Sequence, residues 1–431
     1  MKPTKRTVSL ALSLVFIEFT LAKPANPDRI WDVTPSINSS DEYYAGWDQI
    51  IVDKEVKVYS GLALNRSYAH HPELFYLNDT VYLSFSSAPI DEDSMGQEVW
   101  ISTSKDDGLT WTGSHSLLPA ALLPNQTNPR NFSYWCEREI AQRAWQALTF
   151  VHLPRWGELY AIGQSASIVC PGKYQAAGRI ARRVRSDGSP DGEPCWIDRN
   201  NWTASQLFSQ TIYGTRFGMK TCKRADEINA QLRTPDLAPA WSSWLYNHEL
   251  FGADGNHSMQ EQTHAVWFED ASSPTGGYWQ RFWRDISDTE DNSLAVWVEY
   301  NQNKDGRGWY PDTLKQYGNP IYQTNIPDGR TKQYLGVLAN NGDRYLISNP
   351  RSDPDRDRQP LTIAMSRGDD QRYTTIGVLR TNASDSTALG EHKNHGFSYP
   401  TAVQVGDKLL VAYSENKENI WVSVVDLTNL P

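Results

Sequence analysis

A strand pair that recurs along the chain is the sequence feature that most constrains its fold. In each copy an apolar strand leads through a short polar or glycine-containing turn to a second strand rich in aromatic residues. Turns of this length and composition are typical of β-hairpins. We predict five such pairs, which cover residues 71–77 with 81–85, 146–153 with 159–162, 264–268 with 278–283, 333–338 with 344–347, and 401–405 with 409–413.

The spacing of these hairpins predicts an all-β propeller. They recur roughly every 60 to 80 residues with room for further strands between them, which is typical of four-stranded blades. A single blade cannot bury both of its faces, so blades stack until the ring closes. A chain of 431 residues accommodates six or seven blades, of which we prefer seven. No flexible linker divides the chain, so we predict one domain over residues 23–431, with short helices at 137–146 and 225–232.

The first 22 residues have the pattern of a secretory signal peptide. Lys2, Lys5 and Arg6 precede an apolar run over residues 8–21, and small residues that suit cleavage follow at its end. The run is short for a membrane-spanning helix. The sequence therefore predicts a secreted, extracellular protein that does not span a membrane, and we expect a monomer.

Sequons and cysteines agree with an extracellular location. Asn-x-Ser/Thr sequons occur at Asn38, Asn65, Asn78, Asn125, Asn131, Asn201, Asn256 and Asn382. The four cysteines, Cys136, Cys170, Cys195 and Cys222, predict two disulfides that staple an insertion over about residues 136–222, without deciding their pairing. Their spacing matches no zinc motif, so no metal site is predicted from them.

The composition bears on the partner class. The net charge is −10 and no dense Lys/Arg block occurs, which argues against a nucleic acid partner. An acidic balance still allows a local arginine cluster to bind an anion. The 17 Trp and 21 Tyr residues are first explained as sheet-filling side chains. The surplus also suits sugar binding, because aromatic faces pack against the apolar faces of pyranose rings.

Residues 104–111 contain a complete Ser-x-Asp-x-Gly-x-x-Trp motif, formed by Ser104, Asp106, Gly108 and Trp111. This motif resembles the Asp-box of sialidase-like propellers, in which the Asp caps a hairpin turn, the Gly adopts a positive φ and the Trp packs between strands. Degenerate copies occur at residues 303–309 and 366–370. The resemblance implies a fold and says little about chemistry.

Five further segments carry a second resemblance: residues 68–72, 92–99, 178–184, 326–332 and 396–402. They resemble one branch of that superfamily, the rhamnose–glucuronate lyases with the related ulvan lyases and propeller rhamnosidases. The Phe/Tyr-Arg-Ile-Pro motif of true sialidases is missing, and residues 28–31 do not replace it. The resemblance therefore implies a secreted enzyme acting on a uronate-containing glycan rather than on sialic acid.

Propeller geometry gives an independent indication of the site. The first strand of each blade lines the central channel, so the residues at the start of that strand rim one face. These positions are rich in His, Arg and Tyr, and such a ring predicts a pocket. The residues are His70 and His71, Arg143 and Gln146, His264, Arg330 and Lys332, and His395 and Tyr399.

The leading hypothesis is a polysaccharide lyase that cleaves at a uronate by β-elimination. This reaction needs a group that neutralises the uronate carboxylate, a base for the C5 proton and an acid for the leaving oxygen. We assign His71 or His264 as base and Tyr399 as acid. Arg330 with Arg182 would bind the carboxylate, and His70 and His395 would contact substrate. No cofactor is required; a channel Ca²⁺ is compatible with such propellers, although no Asp/Asn cluster has calcium-loop spacing.

Two alternatives stay open. An exo-acting, rhamnosidase-like hydrolase usually needs two carboxylates, and Glu92, Asp93, Glu261 and Asp285 do not stand out at strand starts. A lectin-like propeller would bind glycans without turnover. Each candidate residue also has a purely structural explanation. His70 and His71 can solvate a strand end, and Tyr399, which precedes a proline, can be a packing residue. Arginines at strand edges, such as Arg182, can discourage pairing with other strands.

Overall fold

Five antiparallel sheets follow one another along the part of the chain that the computed structural model describes. The first covers residues 68–118 and the second residues 145–199, each with its four strands paired in sequence order. The third covers residues 250–327 and has six strands, and the fourth covers residues 334–380 with four strands in sequence order. The described residues are 26–35, 46–92, 94, 96–120, 145–165, 178–199, 220–234, 250–270, 273–287, 295–306, 321–350, 358–368, 370–388, 390 and 393–431.

The strands are short, as expected of propeller blades. Their bounds are β1 (Lys54–Ser60), β2 (Tyr68–Leu77), β3 (Thr80–Ala88), β4 (Glu98–Ser104), β5 (His115–Leu118), β6 (Trp145–Leu153), β7 (Glu158–Ser165), β8 (Gly178–Val184), β9 (Pro190–Arg199), β10 (Leu250–Phe251), β11 (Ser258–Gln260), β12 (Val266–Glu269), β13 (Gly277–Asp285), β14 (Ala295–Asn301), β15 (Ile321–Pro327), β16 (Tyr334–Val337), β17 (Arg344–Ser348), β18 (Leu361–Ser366), β19 (Thr375–Arg380), β20 (Phe397–Val405), β21 (Lys408–Glu415) and β22 (Asn419–Asp426). Within the described ranges, an α-helix, α1, spans Ala225–Leu232, and 3₁₀ turns cover Pro27–Arg29, Leu62–Leu64 and Leu427–Asn429.

The predicted all-β class and the five predicted hairpins are confirmed: they form β2/β3, β6/β7, β12/β13, β16/β17 and β20/β21. The expected six or seven blades are not confirmed, because the described residues form five sheets. The helix predicted at 225–232 is α1, whereas residues 137–144 lie outside the described part of the chain.

The fifth sheet joins the two ends of the described chain. Its order is β1-β22-β21-β20, and β1 pairs antiparallel with β22 through partners such as Val56 and Val422. This sheet packs on the first one, where Leu83 and Phe85 share a core with Leu410. Each such fully buried side chain stabilises the fold by roughly 1.5–3 kcal/mol. The β1–β22 pair therefore closes the array of sheets.

The turn predicted at residues 104–111 joins β4 to β5 through side-chain hydrogen bonds. The Asp106 carboxylate accepts from the Ser104 hydroxyl at 2.8 Å and from the Thr110 amide at 2.9 Å. Gly108 has φ 85°, and a Cβ at this position would meet Leu410 at 2.7 Å. The Trp111 indole donates to the Gly108 carbonyl at 2.9 Å, so the motif fixes both the turn and its packing on the fifth sheet.

Residues 145–199, which fall inside the range predicted as an insertion, contribute a whole sheet. Cys195 on β9 forms a disulfide with Cys222, just before α1, whose Ile228 and Leu232 pack against this sheet. Cys136 and Cys170 lie outside the described residues. The disulfide therefore ties α1 to the second sheet.

Four of the predicted sequons are exposed, at Asn65, Asn78, Asn256 and Asn382. Asn38, Asn125, Asn131 and Asn201 lie outside the described residues, as do the first 22 residues. Glycosylation and the signal peptide therefore stay predictions. Within the described ranges, the helices are all too short or too polar to cross a membrane.

Candidate functional site

Four residues with left-handed backbone lie in or shortly before strands β2, β12, β16 and β20, each of which belongs to a different sheet. His71, Glu261, Arg330 and Tyr399 have φ values of 54°, 55°, 56° and 54°. In β2 and β20 the strand register shifts at these positions. Non-glycine residues seldom adopt positive φ, which costs on the order of 1–3 kcal/mol and is concentrated at functional sites.

Two of these residues, Tyr399 and Glu261, are in direct contact. The Tyr399 hydroxyl donates to Oε1 of Glu261 at 2.5 Å, and Nη1 of Arg284 on β13 donates to Oε2 of Glu261 at 2.5 Å. The same Arg284 nitrogen lies 3.0 Å from the Tyr399 hydroxyl oxygen. The three side chains form a closed triangle of a phenol, a carboxylate and a guanidinium.

Burial and charge fix the resting protonation of this triangle. Burial, followed by the charge of Glu261, raises the pKa of Tyr399 well above its usual value. Burial alone would raise the pKa of Glu261, but Arg284 and the Tyr399 hydrogen bond outweigh it and lower that pKa. Tyr399 therefore rests as a phenol beside an ionised carboxylate that can accept its proton.

A histidine pair lies against the opposite edge of Tyr399. The His70 and His71 rings are 4.1 Å and 5.0 Å from the Tyr399 ring, centroid to centroid. Nε2 of His71 lies 3.3 Å from Oε1 of Glu92, whose Oε2 accepts from Nζ of Lys417 at 2.5 Å.

These buried groups also have shifted pKa values. Burial lowers the pKa of His71 to about 3, with Glu92 opposing the shift, and burial with the neighbouring His71 lowers that of His70. Burial would raise the pKa of Glu92, but Lys417 and His71 lower it to about 2. Both imidazoles are therefore neutral near pH 7, whereas Glu92 is ionised.

Cations surround Tyr399 on further sides. Lys332 Nζ and the Arg358 guanidinium lie 5.6 Å and 5.4 Å from the centre of its ring. Arg358 is 2 % exposed. Among the described residues no partner accepts from its Nε and Nη1, nor from Nε of Arg284. Buried, unmatched donors of this kind favour an anionic ligand.

A cavity lies beside these residues. Its lining includes Glu73, His264, Lys332, Gln333 and Tyr334. Lys332 Nζ lies 3.5 Å from Oε1 of Glu73, whose pKa burial raises to about 7. Lys332 lines this cavity and also lies 5.6 Å from the centre of the Tyr399 ring, so the cavity borders the triangle.

The structure brings together some of the predicted site residues. His70, His71 and Tyr399 lie in one cluster with Lys332 nearby, and His264 lies in the adjoining cavity with its ring 5.0 Å from that of Tyr334. The His395 carbonyl accepts from the Arg358 amide at 3.0 Å.

Other predicted residues are placed differently. Arg182, on the third strand of its sheet, donates to the carbonyls of Leu117 and Gly192, so it is committed to packing between strands. Gln146 accepts from the Gln164 amide at 2.8 Å. Arg330 Nε is buried without a partner among the described residues. Arg143 lies outside the described residues.

The sequence analysis assigned no role to five charged residues that lie near Tyr399. They are the carboxylates Glu92 and Glu261 and the cations Arg284, Arg358 and Lys417. Glu261 occupies the same left-handed position as His71 and Tyr399, contrary to the expectation that no carboxylate stands at a strand start. The sequence signal that could have identified Glu261 is its position shortly before the strand predicted at residues 264–268. Arg284 at a strand end, Arg358 in a connection and Lys417 in a hairpin turn carried no comparable signal.

Comparisons with known proteins agree with this architecture. A family model described as "Beta-prop_BT_1020-like, N-terminal beta propeller" matches residues 54–227. No curated protein matches the sequence. A solved structure named "Sialidase" superposes with a TM-score of 0.63 at 19 % identity, and covers 93 % of this chain and 35 % of its own.

A second solved structure, "Hadza microbial sialidase Hz136", superposes with a TM-score of 0.51 at 10 % identity, and covers 88 % of this chain and 69 % of its own. The chain spans about a third of the length of the first sialidase. At such identities the likeness concerns architecture. The chain therefore has the fold of a sialidase-like β-propeller.

Proposed function

We propose that this protein is a glycoside hydrolase that acts on a carboxylated sugar, with Tyr399 as nucleophile and Glu261 as its base. The observation that carries the proposal is the 2.5 Å hydrogen bond from the Tyr399 hydroxyl to Glu261, held in place by Arg284. A nucleophile bonded to a base that a third group orients is the usual arrangement for covalent catalysis.

Tyrosine suits an anionic substrate. A carboxylate nucleophile would repel the substrate carboxylate, whereas a phenol approaches it uncharged. As the Tyr399 oxygen bonds to the anomeric carbon and the glycosidic C–O bond breaks, Glu261 accepts the phenol proton and passes it to the leaving oxygen. Water then attacks the anomeric carbon, and Glu261 transfers one of the water protons to Tyr399. Tyrosine is the nucleophile in sialidases, and both structures compared above bear that name. The sequence lacks the sialidase Phe/Tyr-Arg-Ile-Pro motif, so we propose a uronate or another acidic sugar rather than sialic acid.

The cations give this substrate its binding site. The unmatched donors of Arg358 and Arg284 would bind the sugar carboxylate, and Lys332 would contact the part of the ligand that enters the cavity. The negative charge of the bound sugar carboxylate would then lie in a partly buried site, where these fixed donors stabilise it more strongly than water does.

Elimination at a uronate is the second candidate. It is favoured by neutral His71, 5.0 Å from Tyr399 ring to ring, which can take up a proton as base while Tyr399 donates one to the leaving oxygen. The two reactions differ in product, because elimination leaves an unsaturated uronate that absorbs in the near ultraviolet.

The test is incubation of the full chain with uronate-rich polysaccharides, including gum arabic and ulvan, with absorbance and reducing ends recorded together. Reducing ends without absorbance support hydrolysis, and both together support elimination. Glycan binding without either product would leave a lectin-like propeller as the better explanation.

We also propose that the protein is secreted as a monomer. The Cys195–Cys222 disulfide and the four exposed sequons support an oxidising, glycosylating route. Expression in a eukaryotic host tests this: the chain should reach the medium, lose mass on enzymatic deglycosylation and elute at the size of one chain.

A further inference from the structure

Three potential metal ligands converge beside the Tyr399 triangle. One ligand atom each from His70, His71 and Glu92 lies within 4.8 Å of the others, and the separation of His71 Nε2 from Glu92 Oε1 is 3.3 Å. In a tetrahedral zinc site with bonds of about 2.0–2.2 Å, ligand atoms stand roughly 3.3–3.6 Å apart. The cluster therefore needs only small side-chain movements to reach that geometry.

Each potential ligand is held from behind by an outer partner. Nδ1 of His70 lies 2.7 Å from the Ser414 hydroxyl, and Nδ1 of His71 lies 3.2 Å from the Ser86 hydroxyl. Lys417 donates to the far oxygen of Glu92. Such partners fix the orientation of metal-binding histidines and carboxylates.

One of the ligand atoms lacks a partner. His70 is fully buried, and its Nε2 has no hydrogen-bond partner among the described residues. Leaving such an atom unmatched costs about 1–3 kcal/mol. With Nδ1 directed at Ser414, the lone pair of a neutral His70 ring is available at Nε2.

We propose that His70, His71 and Glu92 bind one divalent metal ion of the zinc class, with the fourth position left for an exchangeable ligand. Two imidazoles and one carboxylate suit zinc or a neighbouring transition metal. Calcium prefers six to eight oxygen ligands and does not fit this donor set. Lys417 and Arg358 add positive charge nearby, so the fourth position favours an anion such as hydroxide or a carboxylate.

The test is direct metal binding to the full chain, independent of any substrate. Protein stripped with chelator is titrated with Zn²⁺ by calorimetry, and with Co²⁺ by visible absorption, which reports coordination number. We expect one ion per chain and a four- or five-coordinate cobalt spectrum.

Variants locate the site. His70→Gln and Glu92→Gln should each weaken Zn²⁺ binding at least tenfold, and Ser414→Ala, which removes only an outer partner, should weaken it by about 10- to 100-fold. His152→Gln, a histidine on β6 outside the cluster, is the matched control and should bind as the parent does. Thermal unfolding of the stripped variants verifies that each is folded.

Two outcomes would overturn the proposal. One is the absence of stoichiometric binding to the parent chain. The other is unchanged binding in folded His70→Gln and Glu92→Gln, which would place the ion elsewhere. Neither outcome bears on hydrolysis, which is read from its products, whereas an ion bound to His71 would remove that residue as the base for elimination.

Discussion

The Tyr399 hydroxyl lies 2.5 Å from Oε1 of Glu261, although 138 residues separate the two in sequence. Both residues have left-handed backbone, with φ values of 55° for Glu261 and 54° for Tyr399. Arg284 lies beside both and holds the carboxylate ionised. The contact thus joins a tyrosine of the fifth sheet to a carboxylate and a guanidinium of the third sheet.

Replacement of Tyr399 by Phe should abolish turnover with little change in stability. The substitution keeps the ring that packs on His70 and His71 but removes the reacting oxygen, so kcat should fall at least about 10³-fold. Tyr82→Phe, another buried tyrosine, is the control for loss of a hydroxyl. If Tyr399→Phe keeps parental turnover while folded, Tyr399 is neither nucleophile nor acid.

Replacement of Glu261 by Gln should lower kcat by about 10²–10⁴-fold, the usual contribution of a proton acceptor. The amide keeps the shape of the side chain but not the charge that pairs with Arg284. Azide or formate offered as an external nucleophile or base distinguishes a chemical role from a structural one, because rescue by either requires an otherwise intact site. Stability is followed by denaturant unfolding.

Replacement of Arg358 by Gln should impair binding of carboxylated substrates selectively. Loss of a hydrogen bond to a charged group costs about 1.5–3 kcal/mol, equivalent to roughly a 10- to 150-fold rise in KM for an acidic glycan. The same glycan with its carboxylates reduced to alcohols is the matched substrate. An equal effect of the variant on both substrates would contradict a carboxylate-binding role.

Asp328 should make the protein less stable as the pH rises. Burial raises its pKa to about 7, with Asp285 adding to the shift and Thr331, Gln333 and Arg284 opposing it. Between about pH 4 and pH 7 the folded state keeps a proton that the unfolded chain releases, so the free energy of unfolding falls with pH in this window. The loss is at most about 4 kcal/mol.

The variant Asp328→Asn isolates this contribution, because the amide does not titrate. Urea unfolding of both proteins from about pH 5 to about pH 8 should show the parent losing stability relative to the variant. A constant difference across that range would mean that Asp328 is ionised throughout.

Replacement of Asp106 by Ala should destabilise the fold without changing turnover. Its carboxylate accepts hydrogen bonds from Ser104 and Thr110, each contributing about 0.5–1.5 kcal/mol. Thermal unfolding should therefore show a net loss, whereas Asp107→Asn at the neighbouring exposed position should show almost none. Loss of turnover in a fully folded Asp106→Ala protein would contradict a purely structural role for this turn.

The hairpins were predictable because their signals are local: an apolar strand, a short turn and a second strand lie side by side in the sequence. The same local pattern located His70, His71 and Tyr399 at strand starts. Glu92, Lys417 and Arg284 reach the site from a loop, a hairpin turn and a strand end. Their convergence depends on how the sheets are arranged around the channel, which no short segment of sequence encodes.

Arg182 shows what strand periodicity leaves open. The periodicity predicts a strand that contains Arg179, Arg182 and Arg183, but it does not say where that strand lies within its sheet. The structure places Arg182 on the third strand, where its guanidinium donates to the carbonyl oxygens of Leu117 and Gly192. Its role in binding a substrate carboxylate stays a prediction.

The pairing of β1 with β22 has a consequence for synthesis on the ribosome. The edge strand at residues 54–60 has its partner at 419–426, so it stays unpaired while roughly 20 to 70 seconds of translation supply the residues between them, at about 5–20 residues per second. An unpaired edge is a template for misassociation between nascent chains. Lys54, Glu55 and Lys57 place charges along it, which discourages such contacts until the last strand emerges.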